Sequence, residues 1–328
     1  MKKITSFSII FIFAIYLVNN PLTNQYVIGL KSDSIIVMKQ KDVLFKEIES
    51  KSEDYYIPPQ DAKIDRVWKA IPGLNGLKVD IEASYKKMKP NGVFSEEKLV
   101  FHQIQPKVNL SDLPPNPIYK GHPDKQMVSL LINVAWGNEY LTDMLATLKK
   151  HNVSASFFLE GRWAQNNPEL ARMIEAAGHE IGNHSFTHPN MEIISSSKTR
   201  EEIQKTNEVI KAITEKPIKW FAPPSGSYRN ETVQIAAEEK LGTVMWTVDT
   251  VDWKKPSPEQ LLNRVMSKVD NGSMILMHPT DPTAKSLNQL ILQLKQRGFQ
   301  IGTVSELLSS ERTIDYYHLG KGNNEETN

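Results

Sequence analysis

The chain has 328 residues, too many for one minimal domain, which implies one large barrel or a main domain with an appendage. A formal net charge of +1 gives no electrostatic footprint of a nucleic-acid binder, and no nucleic-acid partner is expected. Cysteine is absent, so disulfides are excluded, and any metal must be held by His, Asp, Glu, Asn or water.

Lys2 and Lys3 precede a mostly apolar stretch from Ile4 to Val18, the pattern of a secretory signal. Asn19, Asn20 and Pro21 follow where a small-x-small cleavage site would stand. The stretch is short for a membrane span. Residues 1–30 are therefore read as a signal peptide or membrane anchor. The remainder is expected outside the cytoplasm, secreted or anchored at the cell envelope, with the membrane met through this segment.

Residues 31–118 have short apolar runs at Ser34–Met38, Leu77–Ile81 and Lys98–Ile104. Helices are predicted near Asp42–Ser50 and Ile81–Met88. The segment reads as a small α/β N-terminal domain without a chemical constellation. Asp112-Leu113-Pro114-Pro115-Asn116-Pro117 is a connector that continues neither a helix nor a central strand.

From residue 119 to 312 strands and helices alternate. Met127–Val134 is an apolar run of strand length, and Leu141, Met144, Leu145 and Leu148 follow at helical spacing. Strands are predicted at Ser154–Leu159, His179–Asn183, Ile218–Phe221, Thr243–Thr247, Ser273–Met277 and Phe299–Gly302. Helices are predicted after Asn167-Pro168, over Thr199–Ile213 and Asn230–Lys240, after Ser257-Pro258, and through Leu287, Leu290, Ile291 and Leu294. About seven strand-helix units predict a parallel α/β barrel or a doubly wound sheet. Residues 313–328 form a polar tail.

The polar residues fall at strand ends. Asn133 ends the first strand and His184 follows the third. Pro223-Pro224-Ser225-Gly226 follows the fourth, Asp249 and Asp252 the fifth, and His278 ends the sixth. In parallel α/β folds these C-terminal ends gather on one face, where sites are built.

The segment from about Lys125 to Leu308 resembles the NodB-homology polysaccharide deacetylases, carbohydrate esterase family four. His184-Ser185-Phe186-Thr187-His188 matches H-[ST]-x-x-H, Asp249 through Trp253 matches D-x-x-D-W, and Leu276-Met277-His278 matches L-x-H. Ala222-Pro223-Pro224-Ser225-Gly226 matches R-P-P-x-G except at its arginine, and Ile132-Asn133-Val134 stands where the family has F-D-D. Ala135-Trp136-Gly137-Asn138 resembles the sporulation-associated, membrane-anchored branch. The resemblance implies a distorted (β/α) barrel of about seven parallel strands, following the small α/β domain. It also implies metal-dependent N-deacetylation of N-acetylglucosamine units in peptidoglycan or a chitin-like cell-wall polysaccharide.

Such a reaction needs an activated water, a base, a charge sink and an acid for the leaving amine. The resemblance makes His184 and His188 ligands of a divalent metal, expected as Zn2+. Their i, i+4 spacing would bring both imidazoles to one ion if the segment turns helically. The third-ligand position is Val134, which cannot coordinate; Asn133, Glu139 or water would have to complete the shell. The base position is Asn133 and the position of its arginine partner is Ala222, so both members of that pair are substituted. The acid side is intact: His278 would protonate the amine, oriented by Asp252. Trp253 and Trp136 would line a sugar groove, and the Ser225 N–H would receive the oxyanion. Asp249 reads as structural. The implied activity is weak or lost; the alternative is a catalytically inactive glycan-binding or structural envelope protein on the same fold.

Overall fold

The computed structural model describes residues 43–312, together with positions 21 and 25. The apolar stretch 4–18 and the tail 313–328 lie outside the described residues. No helix among the described residues is long and apolar enough to cross a membrane.

The described chain divides into two compact units. The smaller includes residues 43–56 and 78–102. Its helices α1 (Val43–Lys51) and α2 (Ile81–Met88) fall where the apolar spacing places them. Leu44, Ile48, Val79, Met88 and Leu99 form its core. Asp80 caps α2 by accepting the Ala83 N–H at 2.9 Å, which satisfies a donor the helix cannot use.

The larger unit, over the described residues, comprises 57–77 and 103–312. Segments 57–77 and 103–118, read from sequence as part of the N-terminal module, belong to it. Backbone pairing explains this: the Ala62 N–H donates to Val108 O and the Ile118 N–H to Thr243 O, both at 2.9 Å. Residues 63–71 form an antiparallel hairpin of β1 (Lys63–Asp65) and β2 (Lys69–Ile71). Two further short strands, β3 (Gly76–Val79) and β4 (Phe101–Ile104), pair with each other.

The principal strand is β5 (Met127–Val134), whose eight residues are all buried. Its alternation divides two cores. Val128, Leu130, Ile132 and Val134 face helices α3 (Asn138–Lys150) and α9 (Asp281–Gln296), meeting Leu141, Met144, Leu287 and Leu290. Met127 and Leu131 join a second cluster with Phe158, Ala222 and Val244. A strand buried on both faces reads as a continuous apolar run for this reason.

Around β5 the parallel sheet adds β6 (Ser156–Leu159), β7 (Glu180–Asn183), β8 (Trp220–Phe221) and β9 (Gly242–Thr243) on one side. On the other lie β11 (Met274–Met277) and β10 (Val248–Asp249). The seven strands run in the order β10-β11-β5-β6-β7-β8-β9, and β12 (Gln300–Gly302) pairs with the start of β5. This is the open, half-barrel form of a NodB-like (β/α) barrel.

The strand predicted over Thr243–Thr247 is a correction. Only Thr243 lies in a strand, at the end of β9, and residues 244–247 connect it to β10 on the opposite edge of the sheet. Between them the Val244 N–H donates to Phe221 O, Met245 N–H to Ile118 O and Thr247 N–H to Met274 O. The apolar run crosses the barrel opening instead of lying along one neighbour.

The remaining helices are α4 (Gly161–Asn166), α5 (Pro168–Ala176), α6 (Ser196–Thr214), α7 (Asn230–Glu238), α8 (Pro258–Met266) and α10 (Val304–Leu308). Ser257 caps α8 in a capping box with Gln260, as its Ser-Pro start implies.

Candidate active site

The β5 end turns through Ala135, Trp136 and Gly137 into α3. Gly137 has φ +83°, and a Cβ there would lie 2.0 Å from Pro279 O. Only glycine lets this loop approach the loop after β11 so closely. Trp136 is thereby stacked on His278, with ring centroids 5.3 Å apart and planes 15° apart.

His278 follows β11 and is held by Asp252. The Asp252 carboxylate accepts His278 Nδ1–H at 2.9 Å, the His278 backbone N–H at 2.6 Å and the Thr283 hydroxyl at 2.6 Å. Burial pushes the Asp252 carboxyl up, but these donors and the adjacent imidazole outweigh it and hold the group below the ordinary aspartate range. With Nδ1 committed, Nε2 is the nitrogen left for proton transfer.

The turn carrying Asp252 is strained. Val251 sits at φ +55°, an uncommon conformation for a β-branched residue. Asp249 stabilises it by accepting the Val251 N–H at 2.8 Å, in keeping with a structural role. Trp253 next to it is 54% exposed, with Lys254 Nζ 4.8 Å from its ring centroid, and Trp136 is 47% exposed on the side away from His278.

His184 and His188 come together, with ring centroids 5.0 Å apart. The helical turn expected for this segment is a correction. Ser185 and His188 have φ +63° and +58°, and side chains instead of a helical ladder take the backbone N–H groups. Glu202, buried on α6, accepts from Phe186 N at 2.9 Å and Thr187 N at 2.7 Å. Asn183 Oδ1 accepts from Ser185 N at 2.7 Å, and Ser185 Oγ accepts from His188 N at 3.1 Å.

His184 Nδ1–H donates to Ala222 O at 2.8 Å, leaving the Nε2 lone pair free. Burial, then the neighbouring His188, push His184 down to about 3; burial also lowers His188, and His278 acts on both in the same direction. Two neutral imidazoles are the form that binds a divalent ion. The fit stops at two ligands. Val134 lies fully buried in the helix-facing core, and Glu139 is exposed in the first turn of α3. Among the described residues no group of three His, Cys, Asp or Glu could hold an ion.

Asn133 and Ala222, the two positions expected to have lost the base and its arginine, are both buried. Asn133 is 4% exposed, and its Oδ1 is buried without a hydrogen-bond partner. Ala222 is fully buried beside Leu131 and Phe158. Neither the Asn133 nor the Ala222 side chain carries a charge.

Glu160 was not singled out from sequence. It directly follows β6, an acid at the end of an apolar strand, which is the signal that would have found it. It lines a cleft of about 380 Å³ with Trp136, Arg162, Trp163 and His188. Its Oε2 accepts the Trp163 N–H at 2.8 Å, capping α4. Burial raises its carboxyl. Ser225, after the Pro-Pro turn, adopts φ +53°.

Comparison with known proteins fits this geometry. Residues 120–245 match the model of the polysaccharide deacetylase family. A peptidoglycan-N-acetylglucosamine deacetylase of Bacillus cereus is 32% identical over 59% of this chain and 72% of its own length. This chain belongs to the polysaccharide deacetylase family. Deacetylases of the family are generally dependent on a divalent metal. The protein YlxY of Bacillus subtilis, itself uncharacterized, is 52% identical over 95% of this chain and 99% of its own length. A solved structure described as a pseudoenzyme of carbohydrate esterase family four, from Bacillus anthracis, matches with TM-score 0.79 and 52% identity, over 83% of this chain and 97% of that one. A mutant of it, described as having restored enzymatic activity, matches with TM-score 0.79 and 51% identity, over 82% of this chain and 98% of that one.

Proposed function

We propose that this protein binds an N-acetylglucosamine-containing glycan of the cell envelope and that its N-deacetylation is residual or lost. The observation that carries this is the state of the base position: Asn133 Oδ1 is sealed from solvent without a partner, and Ala222 is part of the apolar core. A neutral amide donates and accepts hydrogen bonds but takes up no proton near neutral pH. The same reaction with a positioned base runs about 100- to 10,000-fold faster.

The other residues expected at the site keep the features of a sugar site. Trp136 and Trp253 offer exposed aromatic faces, and the Asp252–His278 pair offers an oriented Nε2. His184 and His188 would supply two imidazoles to a divalent metal, one protein ligand fewer than a catalytic zinc site uses, so that zinc would be held weakly. When bound, the metal would polarise the acetyl carbonyl. Ser225 would offer its backbone N–H to the carbonyl oxygen. Peptidoglycan is the favoured glycan because the Bacillus cereus relative is a peptidoglycan-N-acetylglucosamine deacetylase. That substrate places the protein outside the cytoplasm, in agreement with the export pattern of residues 1–30.

Acetate release and binding of chitooligosaccharides test the reading together. The protein as it stands should bind the oligosaccharide yet release acetate at least about 100-fold more slowly than Asn133→Asp combined with Ala222→Arg. Robust acetate release by the unmodified protein would overturn the proposal, as would loss of all glycan binding in a folded protein.

A further inference from the structure

The β1–β2 hairpin stands apart from the catalytic cleft in composition. Its residues Ile64, Val67 and Trp68 are 44%, 63% and 41% exposed. Monomeric proteins rarely gather several large apolar side chains on one exposed turn without a partner. Cations surround them. Lys63 and Arg66 are exposed on the same hairpin, and Lys120 Nζ lies 5.5 Å from the centroid of the Trp68 ring. The acid of the hairpin, Asp65, is tied to its own loop and is outnumbered by these cations. Its Oδ1 accepts the Val67 and Trp68 N–H groups at 2.7 and 2.8 Å. These bonds stiffen the tip and fix Val67 and Trp68 at its crest.

We infer that this hairpin docks on the surface of an anionic lipid bilayer. Tryptophan and flanking cations suit the headgroup region, where a ring has one apolar side and the ammonium or guanidinium meets lipid phosphate. The two aliphatic side chains decide between occupants. Isoleucine and valine gain by entering the acyl boundary and offer no face for stacking on sugar rings. The cations supply complementarity to acidic lipids at about 1 kcal/mol each, or roughly fivefold in affinity. The hairpin would thus hold the larger unit against the membrane independently of what the deacetylase cleft does.

The absence of cysteine makes a local test possible on the full chain. Val67→Cys carries one environment-sensitive dye, and Ile193→Cys, at an equally apolar position that is 80% exposed, carries it as the control. Phosphatidylglycerol vesicles should shift the dye at position 67 to the blue, and brominated acyl chains should quench it. The dye at position 193 should not respond. Arg66→Gln should weaken the response roughly fivefold, and 0.5 M salt, where screening is short-ranged, should weaken it further. The inference falls if the dye at position 67 stays in water while the chain sediments with the vesicles. It also falls if phosphatidylcholine gives an equal shift, or if chitooligosaccharide instead of lipid moves the dye.

Discussion

Asp252 holds His278 twice, through Nδ1 at 2.9 Å and through the backbone N–H at 2.6 Å. The carboxylate thus fixes both the ring and the chain that bears it, and Thr283 donates a third bond at 2.6 Å. Because the folded-state pKa of Asp252 is depressed, its contribution to stability is present above the unfolded aspartate value. It is lost as pH falls through the folded one. Urea unfolding between pH 5 and pH 2 should therefore show a decline that Asp252→Asn flattens. Asp252→Ala, which leaves the His278 ring N–H, its backbone N–H and the Thr283 hydroxyl without their acceptor, should cost about 1–3 kcal/mol for each donor that finds no other partner at pH 7.

The paired loss at Asn133 and Ala222 predicts a coupling. Ala222→Arg alone would bury a guanidinium beside a neutral amide and should destabilise by about 3–5 kcal/mol. Asn133→Asp alone would leave a buried carboxylate without its partner. Together the two changes should cost less than their sum, because each supplies the other's counter-charge. Urea denaturation of the four proteins gives the coupling free energy, and the steric cost of the arginine cancels from the cycle. A coupling of zero would separate these positions in space.

The strand ends were legible because a polar residue stands at or just after each apolar run, as Asn133 stands next to last in β5 and His278 follows β11. Asn133 and Ala222 stood out because amide and methyl occupy two places of an otherwise matched motif. The turn at His184–His188 was not. Its helix-like spacing is overridden by Glu202, 16 residues beyond Phe186, and no local pattern announces that bond. The break between β9 and β10 was hidden for a related reason. Val244 and Met245 are apolar whether they lie in a strand or cross the barrel opening. The stack of Trp136 on His278 depends on Gly137 meeting Pro279, a contact between distant loops.

Glu202 should be a positioning residue for the histidine pair. It accepts two backbone N–H groups and the Thr187 hydroxyl, at 2.8 Å, from the turn between His184 and His188. Glu202→Gln keeps the volume but replaces one acceptor oxygen with a donor. Affinity for Co2+ or Zn2+, read by calorimetry, should fall about 10- to 100-fold, as for other groups that orient metal ligands. Binding of chitooligosaccharide in the absence of metal should change little. Equal loss of both would mark a general folding defect instead.

His179 offers a pH-dependent stability term away from the cleft. Burial pushes it down to about 4, its Nδ1 accepts the Ala155 N–H at 3.3 Å, and its ring lies 5.1 Å from that of Phe157. His122 is likewise buried and pushed down to about 4. Both are neutral in the folded chain at pH 5, where the unfolded chain takes up a proton at each. A histidine with a depressed folded pKa contributes fully above about pH 6.5 and loses that contribution as pH falls toward 4. The loss should be on the order of 2–3 kcal/mol per histidine. The urea midpoint of the unmodified protein should therefore drop between pH 7 and pH 4.5. His179→Gln, which removes one of these titrations while His122, His184 and His188 keep theirs, should be less stable at pH 7 yet show a shallower slope. An unchanged slope would mean that His179 keeps an ordinary imidazole pKa and that water reaches it in the folded state.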